Sequence, residues 1–179
     1  MKRRIIGIGL LCATLVFVLC CWGNGDDRLD QAFQDYAAVV NEELPEDLCL
    51  TIYYLPSSIV TRAPLTVEKL IDFSYTVKIV VGSDELVQHQ ELLQELSASN
   101  LEINRRKPLI NARLHYVFST NENDNLLNVT INGGALGSRC PQVNGIHVKD
   151  SEALYNLLAP FLSESECEMF GIPFERYGG

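Results

Sequence analysis

Apolar and polar residues alternate in two runs near the middle of the chain. Ile110, Ala112, Leu114, Tyr116 and Phe118 interleave with Asn111, Arg113, His115 and Val117; Leu127, Val129 and Ile131 interleave with Asn128, Thr130 and Asn132. A period of two marks a strand with one buried face. The stretch Asn121-Glu122-Asn123-Asp124-Asn125 between the runs is rich in turn formers, so the pair predicts a β-hairpin. The apolar sets should face a core, and Arg113, His115, Asn128 and Thr130 the solvated side. Val143-Asn144-Gly145-Ile146 predicts a second, tighter hairpin, because Asn-Gly accepts the positive φ angles of a type I′ turn.

Elsewhere the period changes. Phe33, Tyr36, Ala37, Val40 and Leu44 recur at helical spacing between Arg28 and Leu44, and Pro45 should close that helix. Leu48 to Leu55, between Pro45 and Pro56, is rich in strand formers. Thr66 can cap a short helical turn reaching Phe73. Tyr75, Val77, Ile79 and Val81 mark a second strand, which Gly82 ends. Ser83 should start a helix with Leu86, His89, Leu93 and Leu96 on one face. Asp150 or Ser151 should cap a last helix carrying Leu154, Leu157, Leu158 and Phe161, with Pro160 ending it. Consecutive hairpins with one apolar face per strand imply an α+β fold, a two-layer sandwich of mostly antiparallel sheet with helices on one face.

The N-terminus is of another kind. Lys2, Arg3 and Arg4 precede Ile5 to Trp22, which holds no charge and no Pro. Such a segment predicts residues 1–22 as a signal peptide or membrane anchor, with the cations on the cytoplasmic side and the remainder exported. Residues 23–27 then form a polar spacer and 28–179 a single α+β domain, a size that supports one core. Cys20 and Cys21 close the apolar run, which resembles a bacterial lipoprotein signal and makes both lipidation candidates. An uncleaved single span, with Trp22 at the interface, and ordinary cleavage stay open beside lipidation. The expected address is the outer face of the cell membrane.

Charge narrows the partners. Three of the 14 basic residues precede the apolar run and all 23 acidic ones follow it, so the exported part carries 11 positive against 23 negative charges. That balance argues against nucleic acid as a partner, which needs a positive surface. Cys49, Cys140 and Cys167 fall in this part. Outside the cytoplasm a disulfide is natural, and Cys140 with Cys167, both in loop-like sequence, is the expected pair; Cys49 reads as a small buried hydrophobe.

Catalytic and metal signatures do not stand out. No His-Glu-x-x-His is present, Gly133-Gly134-Ala135-Leu136-Gly137 lacks the Lys and crossover of a phosphate loop, and the Asn121–Asn125 stretch has too few carboxylates for calcium. No cofactor is implied. The residues that could line a ligand surface are Arg113, His115, Asn128 and Thr130, across the predicted hairpin. His89 reads as a core or boundary residue and His147 as a surface one.

Arg113-Leu114-His115-Tyr116-Val117-Phe118, Val143-Asn144-Gly145-Ile146 and Pro160-Phe161-Leu162 together resemble a pattern in small exported bacterial proteins, over about a third of the chain. The resemblance implies no activity. The expected function is therefore a membrane-tethered extracytoplasmic binding or interaction domain with a protein partner of unknown identity. A small hydrolase using His115 and a structural component of an envelope complex are the competing readings.

Overall fold

A computed structural model describes residues 25–97, 101–106, 110–132 and 140–173. The apolar run, Cys20, Cys21 and the glycine-rich stretch lie outside these residues. No helix among the described residues is long and apolar enough to cross a membrane.

The protein is an α+β fold built on one six-stranded antiparallel sheet, in the order β2-β1-β3-β4-β5-β6. The strands are β1 (Cys49–Tyr54), β2 (Val77–Gly82), β3 (Ala112–Ser119), β4 (Leu127–Asn132), β5 (Gln142–Val143) and β6 (Ile146–His147). Both predicted hairpins form. β3 and β4 pair in the register His115↔Thr130, Tyr116↔Val129 and Val117↔Asn128. Asn144 and Gly145 take φ angles of 48° and 77°, the two positive values a type I′ turn requires. Residues 102–104 run beside β6: Ile103 bridges Val148, and the Asn104 amide donates to the His147 carbonyl at 2.8 Å.

The main core lies on one face of the sheet. Leu50, Ile52 and Tyr54 of β1, Leu114, Tyr116 and Phe118 of β3, and Leu127, Val129 and Ile131 of β4 are buried there, as alternation predicts. Helices α1 (Gly25–Val40), α3 (Ser83–Leu86), α4 (Gln90–Ser97), α5 (Ala153–Asn156) and α6 (Glu164–Phe170) cover it with Tyr36, Val40, Leu86, Leu93, Leu96, Leu154 and Cys167. Two buried tyrosines anchor helices to the sheet: the Tyr116 hydroxyl donates to the Leu154 carbonyl at 2.8 Å, and Tyr36 packs 5.1 Å from the Phe118 ring. Burial pushes both phenols far above their ordinary range, so neither ionises.

Element ends depart from expectation for local reasons. α1 is already helical at Gly25, the first described residue, and stops at Val40, short of Pro45. Side chains of α4 terminate it: the Gln90 amide donates to the Val40 and Glu42 carbonyls at 2.9 and 2.8 Å, satisfying orphan acceptors of a helix end. The last helix divides at Pro160, where a 3₁₀ turn over Ala159–Phe161 separates α5 from α6. α6 falls where loop was expected. Ser163 and Glu166 form its capping box and Gly171, at φ 60°, ends it.

The second face of the sheet is only partly open. A smaller cluster of Leu55, Leu65, Leu70 and Ala112 covers it at one end, carried by the segment after β1 and by α2 (Val67–Ile71), whose N-cap is Thr66 as expected. The helical layer thus lies on the first face, and the five-residue α2 alone caps one end of the second. Ala112 belongs to this second cluster because a register shift between Ala112 and Leu114 breaks the alternation. Ile110, expected in the strand, precedes it and is exposed.

Candidate functional site

The second face meets solvent in a recess of about 430 Å³ beside α2. Its floor is the polar side of the central hairpin: His115 and Val117 from β3, Asn128 and Thr130 from β4, and Gln142 from β5. One wall is the first turn of α2, Val67 and Glu68; the other is Asp124 and Asn125 of the β3–β4 turn with Gly145 of the small hairpin. Alternation in β3 and β4 and the register Val117↔Asn128, His115↔Thr130 bring these floor residues side by side.

Three of the four predicted ligand residues, His115, Asn128 and Thr130, line this recess. The fourth does not: the Arg113 guanidinium turns to the Ile59 carbonyl at 2.9 Å and pins the segment after β1. Sequence reasoning missed Glu68 and Gln142, because α2 and the β4–β5 pairing reach the hairpin from elsewhere in the chain, and it assigns Asp124 to the turn alone.

His115 also corrects an expectation. Alternation puts it on a solvated face, yet only 7% of it is exposed. Tyr53 of β1 stacks beside it, centroids 6.3 Å apart at 28°. Its Nδ1 is 2.9 Å from the Thr130 hydroxyl, itself 2% exposed. Burial pushes the imidazole pKa down to about 4, against smaller upward pulls from a backbone hydrogen bond at Val129 and from the Glu68 carboxylate. The ring is therefore neutral at pH 7. Glu68 is fully solvated, and the Thr66 hydroxyl and its own helix-end amide hold its carboxyl below the usual range.

The remaining polar groups are tied locally. Asn128 donates to the Asn125 side chain at 2.8 Å, and the Asn128 amide donates to the Asn144 side chain at 2.8 Å. Gln142, mostly buried, lies 3.0 Å from a ring nitrogen of its cross-strand partner His147. His147 is thus half-buried and bonded, beyond the surface role expected of it. His89 is a boundary residue, edge-on to Phe161 at 5.4 Å.

The recess offers a ligand the Asn125 and Asn128 side-chain amides, with carboxylates on both walls and no Lys or Arg among its lining residues. A histidine with a pKa near 4 is a weak general base at neutral pH, and the hydroxyl beside it is enclosed. Among the described residues, no group of three His, Cys, Asp or Glu is placed to hold a metal ion. A larger cleft of about 540 Å³, between Val60–Leu65 and Lys69–Phe73, contains none of the predicted residues.

The expected Cys140–Cys167 bridge is not formed: all three described cysteines are free. Cys167 sits on the buried side of α6, with its thiol 3.9 Å from the Ala159 and Leu162 carbonyls, where burial raises its pKa. The Cys140 carbonyl is held by the Asn132 side-chain amide at 2.8 Å. Cys49 is half-buried on the second face of β1, not in the core.

Compared with protein-family models, with curated proteins and with solved structures, the chain matches none of them.

Proposed function

We propose that the chain is a membrane-tethered, extracytoplasmic binding domain whose recess beside α2 takes a small uncharged or cationic polar ligand. The observation that carries the reading is the recess itself. It is the part of the second face that the small cluster leaves open, and polar groups from three adjacent strands converge on its floor. Its volume falls within the range of small-molecule sites. Its charged groups are the Glu68 and Asp124 carboxylates, so it repels anions and favours amines and polyols. The tether rests on Lys2-Arg3-Arg4 followed by the uncharged run from Ile5 to Trp22.

The test uses two probes with one ring and opposite charge. Glucosamine and glucuronic acid are titrated into the full chain in detergent, followed by backbone amide shifts. Glucosamine should move Asn128, Gln142 and Gly145, and glucuronic acid should not. Shifts confined to other parts of the sheet, or none at all, would remove the recess as a binding site. Fractionation tests the tether: the chain should sediment with membranes, and recovery in the soluble cytoplasmic fraction would contradict export.

A further inference from the structure

Among the described residues β2 is an end strand of the sheet, and its outer edge carries no partner. The hydrogen-bonding phase of that edge follows from one bond. The Leu55 amide donates to the Arg113 carbonyl at 2.9 Å. In an antiparallel pair the bonded positions alternate, so Thr51 and Tyr53 also turn their amides and carbonyls toward β3, while Leu50, Ile52 and Tyr54 turn theirs toward β2. Their partners Val81, Ile79 and Val77 are thus engaged, and Lys78, Val80 and Gly82 direct their backbone groups outward. All three are exposed, Val80 by 58% for a large apolar side chain. A free edge of this kind is a template for another strand.

We propose that the partner is a second copy of this chain, its β2 paired antiparallel across a two-fold axis at Val80. Symmetry selects the register. With Val80 opposite Val80 of the other copy, Lys78 falls opposite Gly82, and the outward amides and carbonyls of the two edges meet. The lysine that would block other pairings by meeting its own copy here meets the residue with no side chain. Charge complements the fit. Beyond Gly82 the chain enters α3 with Asp84 and Glu85 in its first turn, so each Lys78 approaches two carboxylates of the other copy. The result is a twelve-stranded sheet continuous through both molecules, and in it the two recesses remain separate.

Gly82 allows a test that spares the fold. Its φ is −85°, ordinary extended backbone, and a Cβ there would meet nothing within 4 Å. The full chain, solubilised in detergent, is studied by sedimentation over a range of concentrations. The wild type should dimerise. Gly82→Lys, which sets two cations face to face, should weaken the dimer about fivefold, and Gly82→Glu should tighten it by a similar factor, as exposed cross-strand charge pairs do. Lys78→Glu combined with Gly82→Lys sets opposite charges face to face again and should reverse the loss seen with Gly82→Lys. A chain monomeric at every concentration overturns the proposal. So does a dimer indifferent to the charge at position 82, which would place another surface in the interface.

Discussion

The imidazole of His115 makes the stability of this fold depend on pH in a way a surface histidine would not. It is 7% exposed, and burial lowers its pKa to about 4, against about 6.5 in an unfolded chain. Between those values the unfolded chain binds a proton that the folded one refuses. The sign follows directly: the contribution is fully present above about pH 6.5 and is lost as pH falls toward 4. At about 1.36 kcal/mol per pK unit, the loss is about 3 kcal/mol over that window. Carboxylates titrate over the same range, so the reading must be a difference between two proteins. His115→Gln keeps an amide near Thr130 and cannot ionise. Urea unfolding of both proteins at pH 7 and pH 4 isolates the histidine: the wild type should lose about 3 kcal/mol more than the variant. Equal losses would refute the buried, neutral imidazole and with it the cover that Tyr53 and α2 provide.

Phe118, fully enclosed against Tyr36 and Tyr116, should cost about 3 to 5 kcal/mol when cut to Ala, read by urea melts. Thiol labelling of the native protein should modify Cys49 and Cys140 readily and Cys167 only on unfolding, and non-reducing mass spectrometry should find no peptide joining Cys140 to Cys167. Gly145→Ala places a side chain at φ 77° and should cost about 1 kcal/mol or more in the same melts, whereas Gly82→Ala, at an ordinary φ, should cost less.

The hairpin from β3 to β4 was legible because period-two alternation specifies both strand and register, and a one-residue slip would expose Tyr116 and Phe118 together. The Asn144-Gly145 turn was legible because its backbone angles demand those residue types. His115 was misplaced for a physical reason. Alternation separates the two faces of a strand but says nothing of what lies over the second one. Leu65, Leu70 and Tyr53, which close over that face near His115, lie 45 or more residues earlier in the chain. The same gap hid Glu68 and Gln142. Arg113 shows the converse: its position on the strand was readable, but the Ile59 carbonyl that captures it belongs to a loop with no periodic signal. α6 did carry a signal, the Ser163-x-x-Glu166 capping box, and its short apolar face obscured it. With Cys167 read as loop, a disulfide followed from compartment alone, and the helix instead turns that thiol inward.

The carboxylates flanking the recess should select its ligand. Isothermal titration of glucosamine into the full chain in detergent, and into the Glu68→Gln, Asp124→Asn double variant, measures this most directly. Both side chains are exposed, so the exchange leaves the fold intact. Binding to the wild type should be saturable, binding to the double variant several-fold weaker, and the preference for glucosamine over glucuronic acid lost to match. Identical isotherms for the two proteins would contradict that selection.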